Sequence, residues 1–355
     1  MPASMPTPTL SLPARSLPAL LRPASPGRSA AAHPARRLVG LAARFSLPLA
    51  RRLRWHTIWV VNAGSQQDVD AYFPPSVSAR LREDSPLLPI GVYTAPGARP
   101  SLIVGTLWTN AELAARPAAL AAMVGQLAGF RARRICLNGV IPSLLHRHQL
   151  WPDDERFIQE QRGTLFMLEE NVSQVAERLR DRGERLGGIC VVGAGFTGAQ
   201  LANRLAGEGY TVTTLDPRAD VQRRLDPQVR HCGMDARSAL QDAQLAILLS
   251  TRGDDGVRSL LGALRPGMVV LSDTHPKVSL PMAERLAARG VTLVESAMTR
   301  PGVRFYPKLP RWASDTVPGC VGQAFVEADD RYDPRRSFDD NARDILTARL
   351  DRPAA

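Results

Sequence analysis

The stretch VVGAGFTGAQLANRLAGEGYTVTTLD, Val191 to Asp216, constrains the chain more than any other. An apolar run ends at Gly193, and glycines recur at Gly195 and Gly198. Residues 196–207 then carry helical periodicity, and a second apolar run ends in Asp216. Strand, tight turn, helix and strand follow in that order. Gly193 permits the turn, Gly195 lets the backbone approach a pyrophosphate, and Gly198 lets the helix pack close on the strand. The helix N-terminus offers free N–H groups and the positive end of its dipole to phosphate. Asp216, 18 residues beyond Gly198, suits the adenosine ribose hydroxyls and repels a 2′-phosphate, which favours NAD. Arg218, two positions on, is the residue that would instead hold that phosphate. The expected nucleotide contacts are Gly193, Ala194, Gly195, Phe196, Thr197, Gly198, Asp216 and Arg218, with Ser250 and Thr251 from the strand-end segment STRGDD.

The motif sits in a longer alternation. GICVVGAG, YTVTTLD, AQLAILLST, MVVLSDT and VTLVESAMT are near-continuous Val, Leu and Ile runs separated by helical stretches. Such strands belong to a parallel sheet covered on both faces. The fold class expected is α/β, a Rossmann-type doubly wound parallel sheet over 181–300. A smaller α/β domain with a bridging helix precedes it over 55–180, and a short helical segment follows over 301–355. In the first domain HTIWVVNAG, LPIGVYTA and PSLIVGTLWT read as strands, SQQDVDAYF and 110–130 as helices, and RRICLNGVIPSLL as a strand with a glycine-containing loop. TLFMLEENVSQVAERLRDRGERL reads as the bridging helix.

The formal charge of +11 raises a nucleic-acid reading that its distribution removes. Residues 1–54 hold nine Arg and no acid, and without those nine arginines the net charge is +2. The basicity therefore belongs to a leader rich in Pro, Ala, Ser and Arg, expected to be disordered, with an organellar transit peptide as the alternative. Within it RRLVGLAARFSLPLARRLRW is compatible with a basic amphipathic helix in peripheral contact with anionic lipid. No apolar run has the length of a membrane span. Four well-separated cysteines without CxxC spacing indicate neither a zinc site nor a disulfide framework, which fits a reducing cytoplasm. Cys136 and Cys190 lie in apolar strands as core, and Cys232 receives no role. His146 and His148 read as a polar loop and not as metal ligands.

Ligands of doubly wound sheets sit beyond the carboxyl ends of the strands, where SDTHPK sets Asp273, His275 and Lys277 around one turn. His275 reads either as a proton donor or as an ordinary residue before proline. In PGCVGQAFVEA, Pro318 and Gly319 precede an apolar helical pattern, so Cys320 falls in a first helical turn. The positive dipole end there lowers a thiol pKa, as a covalent nucleophile needs; the alternative is a buried inert cysteine. NGVIPS, 138–143, is either a loop reaching the cleft or a plain strand-to-helix connection.

Taken in order, these segments resemble the cyanobacterial long-chain acyl-[acyl-carrier-protein] reductases, which make fatty aldehydes. HTIWVVNAGSQQDVDAYF is similar to that family's first strand and helix, and RRICLNGVIPSLL to its Gly-Gly-Phe-Ser-type loop. RGTLFMLEENVSQV is similar to its Thr-Thr-Gly segment, with Gly163 matching and the paired threonines absent. VVLSDTHPKVSL is similar to its Asp-Gly-Gly-Tyr-Pro-Lys stretch, with His275 in place of Tyr. PGCVGQAFVEA is similar to its Cys-Phe-Ala-Glu-Ala helix, with Gln323 in place of Glu. The resemblance implies an acyl thioester on Cys320, NADPH as hydride source and a carrier-protein-bound or small-molecule acyl substrate. LRPGMVVLSDT and ERLAARGVTLVESA also look like the β-hydroxyacid dehydrogenases, which keeps a hydroxy- or amino-acid dehydrogenase open. A non-catalytic nucleotide-binding relative is the third reading.

Overall fold

The computed structural model describes residues 47–66, 69–70, 87–158, 161–306 and 315–351. Residues 1–46 of the leader, and 67–68 and 71–73 of the expected helix after the first strand, lie outside them. Two sheets carry the fold. In the second, β5 (Gly188–Val192), β6 (Thr211–Leu215), β7 (Arg230–His231), β8 (Leu245–Leu248), β9 (Val269–Ser272) and β10 (Thr292–Thr299) run parallel in the order β10-β9-β8-β5-β6-β7. The order reverses on either side of β5, as in a doubly wound dinucleotide fold. Every residue of β5, β8 and β9 is buried, which is why these strands read as unbroken apolar runs without alternation. Helices α5 (Phe196–Gly207), α6 (Ala236–Leu240), α7 (Gly253–Leu260) and α8 (Leu280–Ala287) connect the strands.

The first sheet has the order β11-β2-β3-β1-β4. Its centre is β1 (Arg54–Ala63), flanked in parallel by β3 (Ala98–Thr109) and β4 (Arg131–Leu137), with β2 (Leu88–Ala95) antiparallel to β3. The helical stretch 110–130 is two helices, α1 (Asn110–Ala114) and α2 (Pro117–Ala128). Pro117 is the reason: proline has no N–H for a continuing helix but fits a first helical turn. After β4 the segment read as strand and loop contains α3 (Ile141–Arg147). The bridging helix is α4 (Arg162–Arg180).

The C-terminal segment is helical in α9 (Gly319–Ala328) and α10 (Phe338–Ile345), and it also gives a strand to each sheet. β11 (Arg304–Tyr306) pairs antiparallel with β2, and β12 (Thr347–Asp351) pairs antiparallel with β10. An aromatic cluster joins β1, β2, β11 and α9: Tyr93 stacks on Phe325 at 4.5 Å and lies 6.1 Å from Phe305, itself 6.1 Å from Trp59. Where β10 ends and α9 ends, Arg300 and Asp329 form an ion pair at 2.6 Å with each side chain 2% exposed. Arg300 also donates to the Pro96 carbonyl at 2.6 Å, tying both elements to the turn after β2.

Helices α4 and α9 cross backbone to backbone. A Cβ at Gly163 would stand 2.8 Å from both the Gln323 nitrogen and the Gly322 Cα, and one at Gly319 would stand 2.9 Å from the Thr164 Cα. Only glycine permits this approach. It fixes the start of α9, and hence Cys320, against the bridging helix.

Candidate active site

The glycine turn has the geometry its sequence demands. Gly193 has φ +93°, and a Cβ on it would come within 2.9 Å of the Leu249 carbonyl. A Cβ on Gly198 would run into the Gly193 carbonyl oxygen, so the start of α5 sits directly on the turn. Above Gly195 the nearest atom to an added Cβ is the Arg218 Nη2 at 3.4 Å, which leaves the backbone open on that side. The first N–H groups of α5, from Phe196 onward, have no intrahelical acceptor. An open glycine beside free helical donors fits a pyrophosphate. Ser250 and Thr251 follow β8, the strand next to β5, with Ser250 half-buried and Thr251 exposed. The Ser250 hydroxyl donates to the Arg252 carbonyl at 2.9 Å.

At the end of β6 Asp216 is buried, and Arg218 occupies it. Arg218 Nε donates to Asp216 Oδ1 at 2.9 Å, Nη2 to Oδ2 at 2.9 Å, and the Arg218 backbone N–H to Oδ1 at 3.0 Å. Burial pushes the Asp216 carboxyl up, but the Arg218 contacts and the Ala194 backbone N–H outweigh it, so the carboxyl is held below its usual range. Both oxygens are thus engaged within the protein, and the guanidinium lies between Asp216 and Gly195. Phe196, first residue of α5, stacks on His146 at 4.9 Å, and His146 stacks on Trp151 at 4.7 Å. His146 is therefore no loop residue but part of the last turn of α3. Burial, then the nearby Arg224, lowers its pKa.

The other end of α3 meets Cys320. The Cys320 thiol donates to Asn138 Oδ1 at 2.7 Å, and Asn138 directly follows β4. Its neighbour Gly139 has φ +58°, and a Cβ there would be 2.7 Å from Asn62 Oδ1 at the end of β1. The carboxyl ends of β1 and β4 therefore converge on the sulfur. From the second sheet Asp273, next after β9, acts on it electrostatically. Asn138 and His146 are separated by α3, whose seven residues span about 10 Å. Through it the sulfur and the glycine turn are linked across one cleft between the two sheets.

Cys320 is half-buried, so it is neither sealed in the core nor free at the surface. The thiol differs from the activated one expected. Burial and the Asp273 charge push it up to about 12, against the opposing backbone N–H groups of Cys320, Gly139 and Val321. The helix terminus does act in the expected direction, but desolvation is larger. Asp273 is itself pushed up to about 6 by burial, with Glu295 adding to the rise and Lys277 opposing it. Lys277 is ion-paired with the buried Glu295 in β10. Asp273, Lys277 and Cys320 come together in this way, while His275 occupies an exposed position on the same turn. Gln323, one turn along α9 from Cys320, donates to Glu327 at 2.9 Å. Cys136 and Cys190 are buried strand residues as expected.

Glu295 and His146 escape sequence reasoning. For Glu295 the signal is there, an acid inside the apolar strand VTLVESAMT that needs a cationic partner. For His146 it is absent, because both stacking partners are distant or across a turn. Among the described residues no group of three or more metal-ligating side chains converges, and no helix is long and apolar enough to cross a membrane. A surface cavity lined by Pro96, Arg300, Asp329 and Thr347 is separate from the glycine turn and from Cys320.

No family model matches the chain, and no curated protein matches it. Among solved structures it is similar to an oxidoreductase from Mycobacterium avium 104, at 20% identity over 33% of this chain and 46% of that one, TM-score 0.28. A reductive aminase from Aspergillus terreus in complex with NADPH4, cyclohexanone and allyl amine is 18% identical over 32% of this chain and 42% of that one, TM-score 0.28. A D-isomer specific 2-hydroxyacid dehydrogenase family protein from Klebsiella pneumoniae 342 is 15% identical over 69% of this chain and 80% of that one, TM-score 0.34. The chain spans less than half the length of the first two. Likenesses of this size bear on neither substrate nor mechanism.

Proposed function

We propose that the chain is an NAD(P)H-dependent oxidoreductase that holds its substrate carbon at Cys320, in the manner of an acyl-thioester reductase. The observation that carries this reading is the position of the Cys320 sulfur, half-buried between Asn138 and Asp273 where both sets of strand ends meet. A bound dinucleotide would supply hydride, and the Gly195 turn and the first N–H groups of α5 would hold its pyrophosphate. Arg218, already satisfying Asp216, is available to a 2′-phosphate on its exposed side, which favours NADP(H) over NAD(H).

The protein's own part is to hold the acyl group and move protons. Cys320 attacks the thioester carbonyl, a new S–C bond forms, the carrier thiol leaves and takes a proton. Because the Cys320 thiol is protonated at neutral pH, the attack needs a base, and Asp273, ionised above about pH 6, is the carboxylate whose charge acts on it. The Gly139 and Val321 N–H groups that favour a thiolate are available to the same sulfur when the aldehyde leaves.

The unactivated thiol also favours a second reading, a hydroxy- or amino-acid dehydrogenase in which Asp273, Lys277 and Glu295 handle the proton and Cys320 lines the cleft. Intact-protein mass spectrometry after incubation with acyl-CoA or acyl carrier protein separates the two. Acylation of the wild-type chain but not of Cys320→Ala, with NADPH-dependent aldehyde formation lost in the variant, supports the thioester reading. Carbonyl reduction by Cys320→Ala at the wild-type rate removes it and leaves the dehydrogenase.

A further inference from the structure

We propose that the pole of the first sheet opposite the cleft docks on an anionic lipid bilayer through exposed leucines set among unpaired arginines. Parallel strands β1 and β4 begin at this pole and run toward Asn62 and Asn138 at the cleft. Arg54 pairs in register with Arg131, and β4 is the edge strand of its sheet. Side chains alternate along a strand, so Arg131 and Arg133 share one face, both exposed, while Ala132 between them is buried.

The helical turn at 47–52 covers the same end. It is fixed from within: Ala50 is buried, Arg51 lies 5.6 Å over the Phe130 ring, and the Trp55 indole donates to the Ala50 carbonyl at 2.8 Å. This docking turns Leu49 and Leu53 outward, 60% and 48% exposed, beside exposed Arg52 and Arg54. Arg52, Arg54, Arg131 and Arg133 have no carboxylate partner among the described residues. A neighbouring effect registers the field: beyond the burial of His56, Arg133 and Arg99 depress its pKa.

A surface of arginines alone fits any polyanion. Two exposed leucines four residues apart on a rigid turn add what a bilayer rewards and a nucleic acid does not, apolar side chains that enter the acyl boundary while arginines meet the headgroups. In sequence, residues 1–46 hold six more arginines and no acid. At about 3.3 Å per strand residue the cleft lies some 25 Å from the docked surface, so docking does not close it.

The test is co-sedimentation of the full chain with phosphatidylcholine vesicles with and without phosphatidylglycerol. The expected result is binding only to the phosphatidylglycerol vesicles, weakened about fivefold per charge removed in Arg131→Gln/Arg133→Gln and roughly tenfold in Leu49→Ser/Leu53→Ser. Unchanged thermal melting of both variants separates lost docking from lost folding. The proposal is overturned by equal binding to both vesicle types, by no binding, or by undiminished binding of either variant. Tighter retention on double-stranded DNA that ignores the leucine changes overturns it in favour of a nucleic-acid surface.

Discussion

Replacing Gly163 by alanine tests whether the α4–α9 crossing holds Cys320 in place. The added Cβ would stand 2.8 Å from two α9 backbone atoms, where ordinary contact begins at 3.4 Å. The helices must therefore part by at least ~0.6 Å, and more against the Gly319 carbonyl, because no flexible side chain is there to yield. Overpacking of a tight interior costs about 1–3 kcal/mol, and a rigid backbone on both sides places this case near the top. For a domain of this size each kcal/mol lowers Tm by roughly 2–4 °C, so a fall of about 4–12 °C is expected. The sulfur moves with α9, away from Asn138 Oδ1 at 2.7 Å, and the buried thiol gains water. Alkylation of Cys320 by iodoacetamide should therefore speed up while NADPH binding, which depends on α5 and β6, stays as it was. Gly125 is the control, exposed in α2 with nothing within 4 Å of an added Cβ; alanine there should stabilise by up to about 1 kcal/mol through helix propensity. A Gly163→Ala protein as stable as the parent, with unchanged Cys320 alkylation, would refute the reasoning.

Other consequences follow from the same contacts. Asp273→Asn removes a charge that raises the Cys320 thiol, so at pH 8 its alkylation by iodoacetamide, which needs only the thiolate, should be faster than in the parent, while acylation, for which Asp273 is the base, should be slower; slower alkylation would contradict the assigned electrostatic effect. The Asp273 carboxyl has a folded-state pKa of about 6 against an ordinary 3.8. Its ionised form is thus penalised by folding, and stability falls as pH rises from about 4 through about 6. The Tm gain from Asp273→Asn should accordingly be larger at pH 7.5 than at pH 4, as read by calorimetry. His146→Ala removes the ring that stacks on both Trp151 and Phe196, the first residue of α5, and the change in tryptophan emission expected on nucleotide binding to the parent should shrink in that variant. Arg300→Met leaves Asp329 buried with only Arg331 for company, at a cost of about 3–5 kcal/mol, measurable by urea unfolding.

How much of this is legible in the sequence follows from what is local. Val191 to Asp216 is a contiguous strand, turn, helix and strand, and its glycine spacing is a local signal even though Gly193 packs against the distant Leu249 carbonyl and only Gly198 meets its own turn, at Gly193. The parallel sheet is equally plain, since burial on both faces leaves no polar alternation in β5, β8 or β9. The break between α1 and α2 is not read in the Ala- and Leu-rich run 110–130, whose helical pattern continues past Pro117. The placement of Cys320 at the start of α9 is legible, but its pKa is not, because desolvation is decided by α4, the Asn138 turn and β9 together. Asp216 and Arg218 yield two readings in sequence, and only the observed ion pair shows that the guanidinium already fills the carboxylate. The two C-terminal strands are too short and too polar, ARLD and RFY among them, to stand out from their neighbours.

The strand exchange at the C-terminus bears on how the molecule comes apart. After β10 the chain returns to the first sheet as β11, crosses again through α9, and ends beside β10 as β12. Cutting the gene before Gly188 would leave one fragment lacking an edge strand and the other carrying an orphan one. The two lobes are sewn to each other, and pulling them apart means breaking β11 from β2 or β12 from β10.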